Sequence, residues 1–131
     1  MRRLTWLLPA LLSGMVAFGA QRASAQSLLG TWTITNTAQN ACPGQLEITS
    51  GDDRSGHYTG FASFQCGGDP AVTEVFDIVV AHGKVAMHGR DASGPWCADE
   101  YSLDRQGESA MTGSSKDWCG AAGTVSLART R

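Results

Sequence analysis

The side chains able to carry chemistry in this 131-residue chain are four cysteines, three histidines and a scatter of carboxylates. Cys42, Cys66, Cys97 and Cys119 stand 24, 31 and 22 residues apart. Zinc sites draw on close pairs such as C-x-x-C, and no such pair is present. An even number of widely spaced cysteines reads instead as two disulfides made in an oxidising compartment. Oxidised sulfur cannot attack a substrate, so thiol catalysis is not expected. His57 opens a strand, His82 sits in a tight turn, and His88 stands beside an inward methionine and so points outward. A site from His82 and His88 lacks a third ligand and the spacing of a metal centre. Asp52-Asp53 occupy a turn without the ligand spacing of a calcium loop. The chain has no G-x-S-x-G, H-E-x-x-H, phosphate-binding or dinucleotide-binding motif. The expectation is a protein with no enzyme activity, no metal and no cofactor.

Recognition chemistry is better represented. Trp96 and Trp118 each directly precede a cysteine, and Asp99, Glu100, Lys116 and Asp117 are close by in sequence. Exposed tryptophans among charges are typical of binding surfaces. The alternative is that each indole only covers a disulfide. Asn36, Asn40 and Gln65 are further polar groups expected nearby.

The elements that position these residues are strands. Short alternating runs separated by Gly, Asp, Ser and Asn recur from residue 30 onward. Eight are read: 30–36, 44–50, 57–64, 74–81, 84–88, 99–104, 108–113 and 124–130. Alternation gives one face to Trp32 and Ile34, Leu46 and Ile48, Phe76, Ile78 and Val80, Val85 and Met87, Tyr101 and Leu103, Met111, and Val125, Leu127 and Arg129. The third strand stays ambiguous, because Tyr58 and Phe61 fall on opposite faces. Eight short strands with short connections predict an all-β fold. An eight-stranded antiparallel up-and-down barrel is preferred, since closure removes exposed edges, with a two-sheet sandwich as the alternative. In the barrel all four cysteines lie at one end, in the 1–2, 3–4, 5–6 and 7–8 loops. The Trp-Cys segments at 96–97 and 118–119 form a faint repeat that favours Cys42–Cys66 with Cys97–Cys119. Cys42–Cys119 with Cys66–Cys97 is the other neighbour pairing.

The N-terminus carries a different signal. Arg2 and Arg3, an uncharged apolar stretch from Leu4 to Ala20, and Ala23-Ser24-Ala25 match an export signal with its cleavage site. Residues 1–25 are expected to be removed, leaving one domain over 26–131 that is secreted or periplasmic. Removal takes three arginines and no acid, so seven basic residues face 12 acidic ones and the net charge is −5. That balance argues against nucleic acid as a partner. No later segment is apolar enough to span a bilayer as a helix.

Leu29-Gly30-Thr31-Trp32 resembles the G-x-W opening of the calycin barrels: lipocalins, avidins and related bacterial secreted proteins. The resemblance implies that Trp32 packs at the closed base under a basic residue of the last strand, which Arg129 supplies. Ser55-Gly56-His57-Tyr58-Thr59-Gly60 extends the likeness to avidins, although Trp96 and Trp118 do not match the avidin tryptophan motifs. The bacterial metalloprotease-inhibitor barrels are similar in the G-x-W opening and in cysteines where Cys42 and Cys66 fall.

The functional expectation is a non-enzymatic exported protein that binds a small ligand at its disulfide-braced mouth, with Trp96, Trp118, Lys116, Asp117 and Asp99 as candidate contacts. The alternative is an inhibitor of an exported hydrolase such as a metalloprotease. The inward side chains are numerous enough to fill a small barrel, which favours binding at the surface.

Overall fold

A computed structural model describes residues 27–37, 42–68, 70–92 and 98–130. The expected signal segment, Trp96 and Cys97 lie outside the described residues. The strands are β1 (Gly30–Asn36), β2 (Gly44–Asp52), β3 (His57–Phe64), β4 (Val72–Ala81), β5 (Lys84–Asp91), β6 (Asp99–Arg105), β7 (Ala110–Asp117) and β8 (Ala122–Arg129). Each pairs antiparallel with the next, and β8 pairs with β1, so the sheet closes into a barrel rather than dividing into a sandwich. Closure pairs every strand on both sides and leaves no edge open.

Several strands run further toward the cysteine end than their apolar alternation indicates. β4 begins at Val72, β5 continues to Asp91 and β7 to Asp117. Apart from Val72 these extensions carry no large apolar side chain, but ladder hydrogen bonds use the backbone and do not need an apolar face. β7 also passes through Gly113, where an added Cβ would overlap the backbone around Ser102. Glycine there is the residue that lets β6 and β7 close up. At the other end, His82 and Gly83 both take positive φ, 53° and 76°, the signature of a two-residue hairpin turn whose twist suits the flanking strands.

The interior follows the alternation. Trp32, Ile34, Leu46, Ile48, Phe76, Ile78, Val85, Met87, Tyr101, Leu103, Met111, Val125 and Leu127 are all at most 3% exposed. Three residues join them beyond the alternation read from sequence: Leu28, Tyr58 and Ala62. The ambiguity in β3 resolves as Tyr58 inward and Phe61 outward, the latter 42% exposed. Burial of this apolar set is the main stabilising term of the fold.

The base is closed by a short segment before β1. Leu28 is fully buried; its carbonyl accepts from Trp32 Nε1 at 2.9 Å, and its N–H donates to the Tyr58 hydroxyl at 3.4 Å. Arg129 stands opposite Trp32 in the β1–β8 ladder, and its guanidinium carbon lies 4.3 Å from the centre of the indole ring system. The same guanidinium donates to the carbonyls of Leu29 and Ser27 at 2.7 Å each, and to that of Glu108 at 3.1 Å. One arginine therefore fastens the entering segment, covers the tryptophan and ties in the β6–β7 turn.

Candidate functional site at the cysteine end

The 1–2, 3–4, 5–6 and 7–8 connections all emerge at the opposite end from Trp32. Cys42 and Cys66 are disulfide-bonded there, with Cα atoms 4.9 Å apart, joining the first two of these connections. Cys119 is also disulfide-bonded.

The barrel interior changes character toward this mouth. Phe76 and Tyr101 stack with centroids 5.6 Å apart and planes 21° from parallel, forming an aromatic floor. Around and above it the inward positions become polar. Ser115, 5% exposed, donates to Asn36 Oδ1 at 2.9 Å, and the Tyr101 hydroxyl is within hydrogen-bonding reach of Asn36. Four successive strands place a carboxyl on the inward face at this level: Glu74 on β4, Asp91 on β5, Asp99 on β6 and Asp117 on β7.

Glu74 and Asp99 interact across Gly89. Gly89 pairs with Phe76 on one side and Asp99 on the other, and a Cβ there would stand only 3.1 Å from Glu74 Oε2. That oxygen is buried without a hydrogen-bond partner. Burial first, then hydrogen bonding and charge repulsion from Asp99, push the Glu74 carboxyl up from 4.5 to about 9. Burial raises Asp99 as well. Burial therefore favours the neutral form of the Glu74 carboxyl, which can donate a hydrogen bond. Burial and the nearby Asp99 and Glu74 also raise Tyr101, so its phenol stays neutral.

The rim carries Trp118, whose side chain is among the most exposed apolar groups described at 73%. Its backbone is well fixed. Asp117 Oδ1 accepts from the N–H groups of Cys119 at 3.0 Å and Ala121 at 2.7 Å, an Asx-type turn. The Trp118 N–H donates to the Ala98 carbonyl at 3.2 Å, tying the turn to the start of β6.

The candidate contacts read from sequence thus separate. Asp99 faces into the mouth, Asp117 builds the turn that presents Trp118, and Trp118 stands at the rim. Lys116 lies on the outer wall, where it pairs with Glu100 at 3.1 Å. Trp96 lies outside the described residues. Glu74 was not singled out in the sequence, although alternation with Phe76 and Ile78 places it inward; an acid in phase with core positions was the available signal. Among the described residues no group of three or more His, Cys, Asp or Glu side chains is arranged to hold a metal ion.

Two solved structures share the architecture. A redesigned β-barrel matches with a TM-score of 0.70 at 14% identity, over 79% of this chain and 92% of that one. A de novo designed fluorescence-activating β-barrel matches with a TM-score of 0.66 at 15% identity, over 82% of this chain and 97% of that one. The chain is an eight-stranded antiparallel β-barrel. At such low identity the likeness concerns fold alone. No family profile matches the sequence, and no curated protein matches it.

Proposed function

We propose that the protein is an exported, non-enzymatic binding protein that takes a small ligand at the cysteine-bearing mouth. The observation that carries this reading is Trp118, a large indole held out in solvent by an ordered turn beside a bridged cysteine. Solvating an indole gains nothing for folding, and holding it rigid lowers the ordering cost of contact with a partner. The disulfides support an oxidising, non-cytoplasmic setting, which agrees with the export signal expected over residues 1–25.

Because the interior below Phe76 and Tyr101 is packed, the reading puts the ligand above their rings and not within the barrel. The polar groups around that position are acids, an amide and a hydroxyl, which suit hydrogen-bond donors or positive charge on an apolar body. A second reading, inhibition of an exported hydrolase, is favoured by the same packed interior and the protruding indole.

Ligand-observed NMR with a library of small amines and amphiphiles tests the first reading. Hits on the wild type should be lost in Trp118→Ala while the melting temperature stays unchanged. Hits that survive, or a lowered melting temperature with undiminished affinity, would mean that the indole only shields its disulfide. Inhibition of an exported metalloprotease by the wild type and not by Trp118→Ala would select the second reading.

A further inference from the structure

We propose that the outer wall of β3 and β4 is a self-complementary surface on which a second copy of this chain docks, making a two-fold symmetric dimer. The proposal goes beyond ligand binding, since it uses the wall of the barrel and not its mouth.

The observation behind it is one row of outward side chains. Ladder pairing sets Glu47 opposite Phe61, Phe61 opposite Val75, and Val75 opposite Arg90. Across β2 to β5 the row therefore runs acid, apolar, apolar, base. Neighbouring strands lie about 4.8 Å apart, so the row spans about 14 Å. Phe61 is 42% exposed, and Val79, on the same outer face of β4 as Val75, is 41% exposed. Glu47 and Arg90 are exposed, and neither belongs to an ion pair among the described residues. An apolar centre with charges at its ends is the layout of an interface core and its rim.

The order of the row selects the partner. A two-fold axis running along the strands, between β3 and β4, reverses the row in the second copy. Phe61 then meets the partner's Val75, and Glu47 meets the partner's Arg90, each twice in the dimer by symmetry. A row that is its own complement when reversed needs no other partner. The ladder pairs Thr59–Asp77 and Ser63–Thr73 flank it. The same axis sets Thr59 against the partner's Asp77 and Ser63 against the partner's Thr73, so no like charges meet. A two-fold axis across the strands would instead set each Glu47 against the partner's Glu47, which like-charge repulsion disfavours. Strand order puts β3 and β4 across the barrel from β7 and β8, so the dimer leaves Trp118 free.

Sedimentation of the purified protein tests the dimer without any ligand, so its failure is distinct from failure of the binding reading. The apolar contacts and two ion pairs make a small interface, so dissociation is expected on the order of 10–100 µM. Phe61→Thr, at an outer strand position, should weaken association about tenfold or more while the far-ultraviolet circular dichroism stays that of the wild type. Glu47→Lys sets cation against cation at both ends of the interface, and Arg90→Glu sets acid against acid. Each of these variants alone should also lose about tenfold or more in association. Mixed in equal amounts, the two should associate as the wild type does, because each then supplies the charge that the other faces. Should Phe61→Thr fail to fold, the two charge variants, both at exposed positions, carry the test alone. The dimer is overturned if the wild type stays monomeric at about 1 mM, if the single charge variants associate like the wild type, or if mixing them restores nothing. A monomer with this wall exposed would leave it to a different partner.

Discussion

Gly89 stands directly opposite Phe76 in the β4–β5 ladder, and the phenyl ring occupies the space where a Cβ on residue 89 would sit. The ring reaches Tyr101 through that gap, and the Glu74 carboxyl lies beside it. Floor and acid pair therefore depend on one missing side chain. Gly89→Ala should destabilise the fold by about 1–3 kcal/mol, the usual cost of overpacking a core. Denaturant unfolding would measure this. Adding Phe76→Leu, which withdraws the ring, should make the double variant less destabilised than the two single changes summed.

At the base, Trp32→Ala should cost about 3–5 kcal/mol, as expected for truncating a fully buried aromatic. Arg129→Ala should cost less but act on the same contact. A double-mutant cycle should give a coupling of about 0.5–2 kcal/mol, the range for a cation over an aromatic face. Additive effects would show that Arg129 serves only the Ser27 and Leu29 carbonyls.

The acid pair makes global stability depend on pH with a definite sign. Glu74 is raised in the folded protein, so the native state holds a proton that the unfolded chain releases near pH 4.5. Its contribution is fully present below that value and is lost as pH rises toward about 9. Melting temperature should therefore fall over this window in the wild type. Glu74→Gln should flatten the fall and leave the variant more stable than the wild type at pH 8. Parallel curves would contradict the assignment.

The Cys42–Cys66 bridge closes a loop with a sequence separation of 24. Replacing both cysteines with alanine should cost about 2–4 kcal/mol, chiefly by freeing the unfolded chain. Thermal unfolding of the double variant measures this. Amide exchange should show the loss concentrated where β1 to β4 reach the mouth rather than at Trp32.

Much of the fold is legible in the amino-acid order, because period-two alternation is a direct consequence of strand geometry. Trp32 and Ile34, Phe76 and Ile78, Tyr101 and Leu103, and Val125 and Leu127 mark their faces without reference to any partner. Strand lengths were harder to read. Thr73, Asp91 and Ser114 to Asp117 belong to strands through backbone pairing alone, which leaves no apolar pattern. Phe61 left β3 ambiguous for a related reason: a large apolar residue can sit on the outer wall, and its face is settled only when Tyr58 goes inward against Leu28 and Asp53.

The number of strands, the facing of their alternating side chains and the inward position of Arg129 were determined by the sequence alone, since each follows from counting alternations. The closed barrel was chosen over the sandwich only by the pairing of β8 with β1. What only the tertiary structure decided is how residues distant in sequence share space. Leu28 becomes a plug because the Tyr58 hydroxyl and the Arg129 guanidinium converge on its backbone neighbourhood. Lys116 leaves the mouth because β7 extends to Asp117 and alternation turns residue 116 outward. Glu74 meets Asp99 because barrel curvature brings β4 and β6 together over a glycine, and their separation of 25 positions in the chain gives no sign of it. Alternation is a property of one strand, whereas the gathering of carboxyls from four strands at one mouth belongs to the closed sheet.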